Sequence, residues 1–174
     1  MVYGDIKPEN VLVFKDATGN TTVKITDFGY STLASGPNAK GVLLPKSRPW
    51  NAPEHHFGEF GTHEAKKTDV YSFGMLCLWI LFSKYLSDIP PHSGEYGTES
   101  VSFDAVTGPL SLLERLKGAN KVEHIADQLM QLVPELNAEC KIRLKDFFSL
   151  TVPFDPEKQT SYLETLVGLL SQDR

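Results

Sequence analysis

Tyr3-Gly4-Asp5-Ile6-Lys7-Pro8-Glu9-Asn10, followed by Asp27-Phe28-Gly29 and then Ala52-Pro53-Glu54, is the stretch whose reading decides the fold. Between Asn10 and Asp27 lie two short runs rich in β-branched residues, Val11-Leu12-Val13-Phe14 and Thr22-Val23-Lys24-Ile25-Thr26. Lys15-Asp16-Ala17-Thr18-Gly19-Asn20 joins them with turn chemistry from Asp, Gly and Asn, so a small hairpin is expected. It carries Asn10 at the entry of one strand and Asp27 at the exit of the other, so two metal-seeking side chains emerge at the same end. Asn20-Thr21-Thr22 fits a glycosylation acceptor, but so short a pattern reads as a turn.

Downstream of the hairpin, residues 30–50 hold Gly, Pro, Ser and Asn with no sustained apolar period and read as a long loop, a kind of segment that is usually functional. Residues 54–67 are polar and carry His55, His56 and His63; with no neighbouring Cys and no helical spacing they read as solvated loop histidines rather than a zinc site. Thr68 or Asp69 is placed to cap the helix that follows. Its most apolar part, Val70 to Phe82, is too short for a membrane span, which needs about 20 apolar residues, and reads as a buried core helix. Residues 88–108 contain Pro90, Pro91, Gly94, Gly97 and Gly108 and read as another loop. Beyond it three apolar stripes at helical spacing are expected: Leu110 to Leu116; Val122, Ile125, Ala126, Leu129, Leu132 and Val133; and Leu136, Cys140, Leu144, Phe147 and Phe148. A last stripe, Leu163, Leu166, Val167 and Leu170, has Ser161 and Glu164 at capping-box spacing.

At 174 residues, 41% hydrophobic and 22% charged, the chain has the composition of one folded domain with a sizeable core. A net charge of −5 argues against nucleic acid or an anionic membrane as the main partner, since both are held by clustered Lys and Arg. Cys77 and Cys140 fall in expected helices and give no support to a disulfide framework, and Met1-Val2 runs directly into a polar loop with no signal-peptide pattern. An intracellular, cytoplasmic setting is therefore expected.

The three quoted motifs, in this order and spacing, resemble the catalytic half of a eukaryotic-type protein kinase of the serine/threonine class. The resemblance continues through Asp69-Val70-Tyr71-Ser72-Phe73-Gly74 and fades after about residue 110. It implies a mainly α fold with a small β-hairpin, the C-terminal lobe of an α+β kinase domain, over residues 1–174. The catalytic loop would span 3–10, the activation segment 27–54 and a helical region 68–174. By the same resemblance Asp5 is the catalytic base and Lys7 steadies the transferring phosphate. Asn10 and Asp27 hold Mg²⁺, and together with Leu12 they contact ATP. Ser47 approaches the catalytic carboxylate at the substrate site, Glu54 anchors the end of the activation segment, and Asp69 supports the backbone of the catalytic loop. The implied reaction moves the γ-phosphate of ATP to Ser or Thr hydroxyls of a protein substrate.

The family's glycine-rich loop, strand lysine and helix glutamate would all precede Asp5, so residues 1–174 alone are expected to be inactive. Three departures from the family pattern stand out. Tyr3 replaces the usual His, and is bulky enough to fill the hydrophobic stack below Phe28. Gly4 replaces the Arg that would pair with an activation-loop phosphate, so regulation is expected not to use that pairing. Gln159 stands where an Arg would pair with Glu54, which would leave Glu54 to find another donor and weaken the lobe. Ser31, Thr32, Ser35 and Ser47 are candidate autophosphorylation sites.

Two other readings remain open. A kinase-derived binding module would use the surface left by a missing small lobe, including the flank of Val70 to Phe82. A small-molecule phosphotransferase would share Gly4-Asp5 and Asn10, although Ala52-Pro53-Glu54 and the Asp69 helix favour the protein kinase.

Overall fold

The computed structural model describes residues 1–33, 41–57, 60–89 and 108–170. The expected hairpin forms from β1 (Val11–Lys15) and β2 (Thr21–Ile25), antiparallel, with Val13 opposite Val23 and Val11 opposite Ile25. Its turn is knotted by one carboxylate: Asp16 Oδ1 accepts from the backbone of Thr18 and Asn20 and from the Thr18 hydroxyl. These bonds, the Thr18 hydroxyl first, hold Asp16 below the ordinary carboxylate pKa.

The rest of the described chain is helical. α1 (Thr62–Phe82) is followed by a short 3₁₀ segment (Ser83–Asp88), then α2 (Pro109–Gly118), α3 (Val122–Leu132), α4 (Ala138–Thr151) and α5 (Leu163–Leu170). α1 is buried on most sides and serves as the axle. Tyr71, Met75, Leu78 and Phe82 meet Leu113 and Leu116 of α2, Ile125 and Leu129 of α3, Phe147 and Phe148 of α4, and Leu166 of α5 in one core. Each such side chain contributes about 1.5–3 kcal/mol of burial. Edge-to-face contacts of Phe73 with Phe147 (5.9 Å) and of Phe147 with Phe148 (5.2 Å) order the α1–α4 seam. A smaller cluster of Val2, Val42, Leu44, Phe60 and Ala65 joins the start of the chain to the start of α1.

Several expectations are corrected. α1 begins at Thr62, not at Thr68 or Asp69, because Thr62 to Lys67 contains good helix formers and buries Ala65. Asp69 is thus an interior helix residue and no cap. Cys140 is exposed, since α4 faces the core with Leu144, Phe147 and Phe148 instead. α4 is capped by Asn137, whose side chain accepts from the Cys140 N–H at 2.8 Å. Ser161 lies two residues before α5 and is no cap; Thr160 Oγ1 accepts from the Tyr162 N–H. The flank of Val70 to Phe82 is not left bare: within it only Ile80 and Leu81 are exposed. Cys77 is mostly covered within α1, and burial pushes its thiol pKa up to about 12. Nearly all of the loop at 88–108, with Ser35 of the loop at 30–50, lies outside the described residues.

α1 and α4 approach so closely because residue 74 is glycine. A Cβ there would meet Thr151 Cβ and Val152 Cγ1 at 2.7 Å each, and Thr151 Oγ1 at 2.5 Å. Gly74→Ala gains about 1 kcal/mol of helix propensity but forces the seam open, at a cost of about 1–3 kcal/mol. The expected net result is a lower Tm in a thermal melt, against the rise that an unpacked helical glycine would give.

Candidate functional site

The segment 3–10 passes in front of α1 and is held there by one side chain. Asp69, buried in the second turn of α1, accepts from the Tyr3 N–H at 2.6 Å (Oδ2) and the Gly4 N–H at 2.8 Å (Oδ1). Burial pushes its pKa up, opposed by these two bonds. Gly4 has φ +91, the left-handed region that favours glycine, and a Cβ on it would stand 3.0 Å from the Tyr30 carbonyl oxygen. That fold in the backbone turns the chain so that Asp5 faces inward, 5% exposed.

Three side chains converge on Asp5. Lys7 Nζ donates to Asp5 Oδ2 at 2.6 Å, Ser47 Oγ donates to Asp5 Oδ1 at 2.6 Å, and Asn10 Nδ2 donates to Asp5 Oδ2 at 3.2 Å and to the Asp5 carbonyl at 2.9 Å. Lys7 Nζ also lies 3.4 Å from Ser47 Oγ, which closes the triangle. The bond to Asp5 holds the Lys7 ammonium above the ordinary lysine pKa, with burial opposing it. Pro8 opens the one-turn 3₁₀ helix Pro8–Asn10 that carries Asn10 back toward Asp5.

The hairpin performs the convergence expected of it. The Thr26 N–H donates to the Asn10 carbonyl at 3.0 Å, so the exit of β2 lies against the entry of β1. Tyr3 reinforces this joint from below, its hydroxyl donating to the Thr26 carbonyl. Its ring packs edge-to-face on Phe28 at 5.4 Å. Asp27 itself sits at φ +60, an uncommon conformation for a residue with a side chain, and its Oδ1 accepts from the Gly29 N–H at 3.2 Å. The donor types suit a hard cation: Asp27 offers a carboxylate, and the Asn10 amide, whose nitrogen donates twice to Asp5, has an oxygen as its remaining polar atom. Leu12, 43% exposed on β1, stands two residues beyond Asn10.

Sequence reasoning thus placed Asp5, Lys7, Asn10 and Ser47 in one constellation, with Asp69 behind it and Asp27 across the hairpin base. Glu54 is different. It lies in the turn Pro53–Phe57, largely buried, and its Oε2 has no hydrogen-bond partner. Gln159 is buried too; its Nε2 donates to the Pro153 carbonyl at 2.9 Å and its Oε1 is unpartnered. No replacement donor reaches Glu54 Oε2; a hydrogen bond from the backbone of Glu54 itself and then the charge of Lys67 oppose the effect of burial. Of the histidines, His55 is buried beside Phe60 and His63 is exposed on α1. The side chain of His56 lies outside the described residues. Sequence reading missed the Tyr3 hydroxyl and Lys117, whose buried ammonium reaches Pro49 and Asn51. No motif flags either.

The family model described as protein kinase domain matches residues 1–166. The chain belongs to the protein kinase domain family. It is 33% identical over 106 residues to the serine/threonine-protein kinase DCLK1 of Rattus norvegicus, covering 61% of this chain and 22% of that protein. It is 36% identical over 84 residues to the dual specificity protein kinase shkD of Dictyostelium discoideum, covering 48% of this chain and 10% of that protein. To the dual specificity mitogen-activated protein kinase kinase mek-2 of Caenorhabditis elegans it is 28% identical over 121 residues, covering 69% and 28%. The chain thus spans less than a third of the length of these relatives. No solved structure matches it significantly.

Asp69→Ala leaves two inward N–H groups without acceptors, so a loss on the order of 2–4 kcal/mol is expected in urea unfolding, with Asp69→Asn losing less because one acceptor oxygen remains. For Glu54 the sign runs the other way. Burial raises its pKa above the ordinary 4.5, so the folded state holds this proton more tightly than the unfolded chain. Its contribution is fully present below about pH 4.5 and is lost as pH rises through the raised value. Glu54→Gln should raise the Tm at neutral pH, equivalent to about 1–3 kcal/mol, and the difference from wild type should vanish on acidification.

Proposed function

We propose that this chain is the substrate-binding, C-terminal lobe of a protein serine/threonine kinase, with Asp5 as the catalytic base. The observation that supports the reading best is the triangle of Asp5, Lys7 and Ser47, two donors fixed at 2.6 Å on opposite oxygens of one buried carboxylate. A carboxylate oriented this tightly can accept a proton from a hydroxyl at only one place, which is what positioning an alcohol for in-line attack requires.

In this reading the substrate hydroxyl displaces the Ser47 hydroxyl from Asp5 or binds beside it. The hydroxyl oxygen forms a bond to the γ-phosphorus of ATP, the bond from that phosphorus to the departing ADP oxygen breaks, and the hydroxyl proton passes to Asp5. The Lys7 ammonium, already at the rim of the carboxylate, offsets the charge that spreads over the transferring phosphoryl oxygens. Asn10 and Asp27 would hold Mg²⁺, whose charge would offset the negative charge of the phosphates. Leu12 would lie under the adenine. Ser47 and Lys7 favour Ser and Thr as acceptors, and Glu54 and Asp69 act as anchors of the surrounding backbone.

Residues 1–174 contain no glycine-rich phosphate loop, so we expect phosphate transfer from this chain alone to be undetectable and to need a small lobe supplied by further sequence or by another chain. A binding-module reading is favoured by a different observation: Leu12, Phe14, Val23, Ile25 and Phe28 are all 43% or more exposed on and beside the hairpin.

Calorimetric titration of the folded chain with MgATP separates the two. Binding on the order of micromolar that Asp27→Asn abolishes is the expected result, and a folded chain that binds no nucleotide turns the reading to the binding module. In a longer form that phosphorylates protein, Asp5→Asn is expected to lower kcat about 10²–10⁴-fold. Retention of the wild-type rate would remove Asp5 from the role of base.

A further inference from the structure

Lys117 ends α2 with its side chain turned inward and 7% exposed. An ammonium with three N–H groups is costly to bury unless every donor is met and the charge is balanced. Here both conditions hold. The donors reach the Pro49 carbonyl at 3.0 Å, the Asn51 carbonyl at 3.2 Å and Asn51 Oδ1 at 3.1 Å. Glu114 Oε2, one helical turn back on α2, lies 2.8 Å away as an ion-pair contact. All three acceptors belong to one short stretch, and Arg48 of the same stretch reaches Glu114 at 3.6 Å. α2 therefore grips this stretch with both charges, on either side of Trp50, which is itself buried against Trp79 at 6.0 Å.

The stretch so gripped carries Ser47. The Asn51 N–H donates to the Ser47 carbonyl at 3.0 Å, so the residue that Lys117 holds twice holds Ser47 in turn. Ser47 Oγ then reaches Asp5 at 2.6 Å. A continuous line of polar bonds runs from α2 through Lys117, Asn51 and Ser47 to the carboxylate. Among the described residues Lys117 is the side chain of α2 that makes these bonds to residues 49–51.

We propose that Lys117 is a positioning residue that sets the register of residues 47–51 against Asp5, and so the placement of the protein substrate. The part concerning substrate rests on the kinase reading above; the clamp itself does not. Lys117→Met keeps the unbranched stem and removes the ammonium. In hydrogen exchange read by mass spectrometry on the 174-residue chain, peptides spanning 47–51 should exchange about tenfold faster, with α3 and α4 within about twofold of wild type. An unchanged rate at 47–51, or an equal rise everywhere, overturns the clamp. Asn51→Ala attacks the same bonds from the other side and should give the same local pattern, which keeps the test decisive if Lys117→Met does not fold. In a form that transfers phosphate, Lys117→Met should raise KM for the protein substrate at least about fivefold and leave KM for ATP within about twofold. Equal rises in both overturn the positioning role. A form with no transfer at all counts against the kinase reading, and the exchange result then still decides the clamp.

Discussion

Two backbone N–H groups, those of Tyr3 and Gly4, end on the single carboxylate of Asp69, and the arrangement of the site depends on that joint. Asp69 can serve because α1 carries it inside the protein, where water has little access to its oxygens. The joint converts the rigidity of a 21-residue helix into the placement of a loop. The loop's own share of the site is downstream of it: the left-handed turn at Gly4, the inward direction of Asp5, and the return of Asn10.

The site is also closed from the far side. Ser47 belongs to a stretch fixed by Trp50 in the core and by Lys117 from α2, so the carboxylate of Asp5 is held by two segments far apart in sequence. A third support, Tyr3, ties the loop to the hairpin through its hydroxyl and ring. Where the family places His, a longer side chain here makes one polar and one apolar contact at once. Against these satisfied anchors Glu54 and Gln159 stand apart, each with one buried side-chain oxygen left without a hydrogen-bond partner.

Much of this was legible in the sequence because it is written in local chemistry. The hairpin followed from β-branched runs around Asp16 and Gly19, and the convergence of Asn10 with Asp27 followed from the hairpin. Spacing found Val122, Ile125, Ala126 and Leu129 of α3 and Leu144, Phe147 and Phe148 of α4 in the core, while Leu132 of the same stripe is exposed. Other features depend on who the neighbour is. The start of α1 at Thr62 was hidden because His63, Lys66 and Lys67 look like a solvated loop, whereas Lys67 is buried and donates to the Pro156 carbonyl at 2.8 Å. Lys117 looks like the charged end of an amphipathic helix, and its burial is decided by residues more than sixty positions earlier. Cys140 fits an apolar stripe by spacing, yet α4 is turned so that its first turn faces outward. Propensity cannot report which side of a helix its partners will choose.

Gly4 bears on the history open to this chain. Glycine and arginine codons can differ by one nucleotide, so a return to the family's usual residue is a short step in genetic terms. It is a long one in conformation, because at φ +91 any side chain is strained and a Cβ would press on the Tyr30 carbonyl at 3.0 Å. The loop has settled around the absence of that arginine. An arginine rebuilt at this position would have to remake the turn that points Asp5 inward.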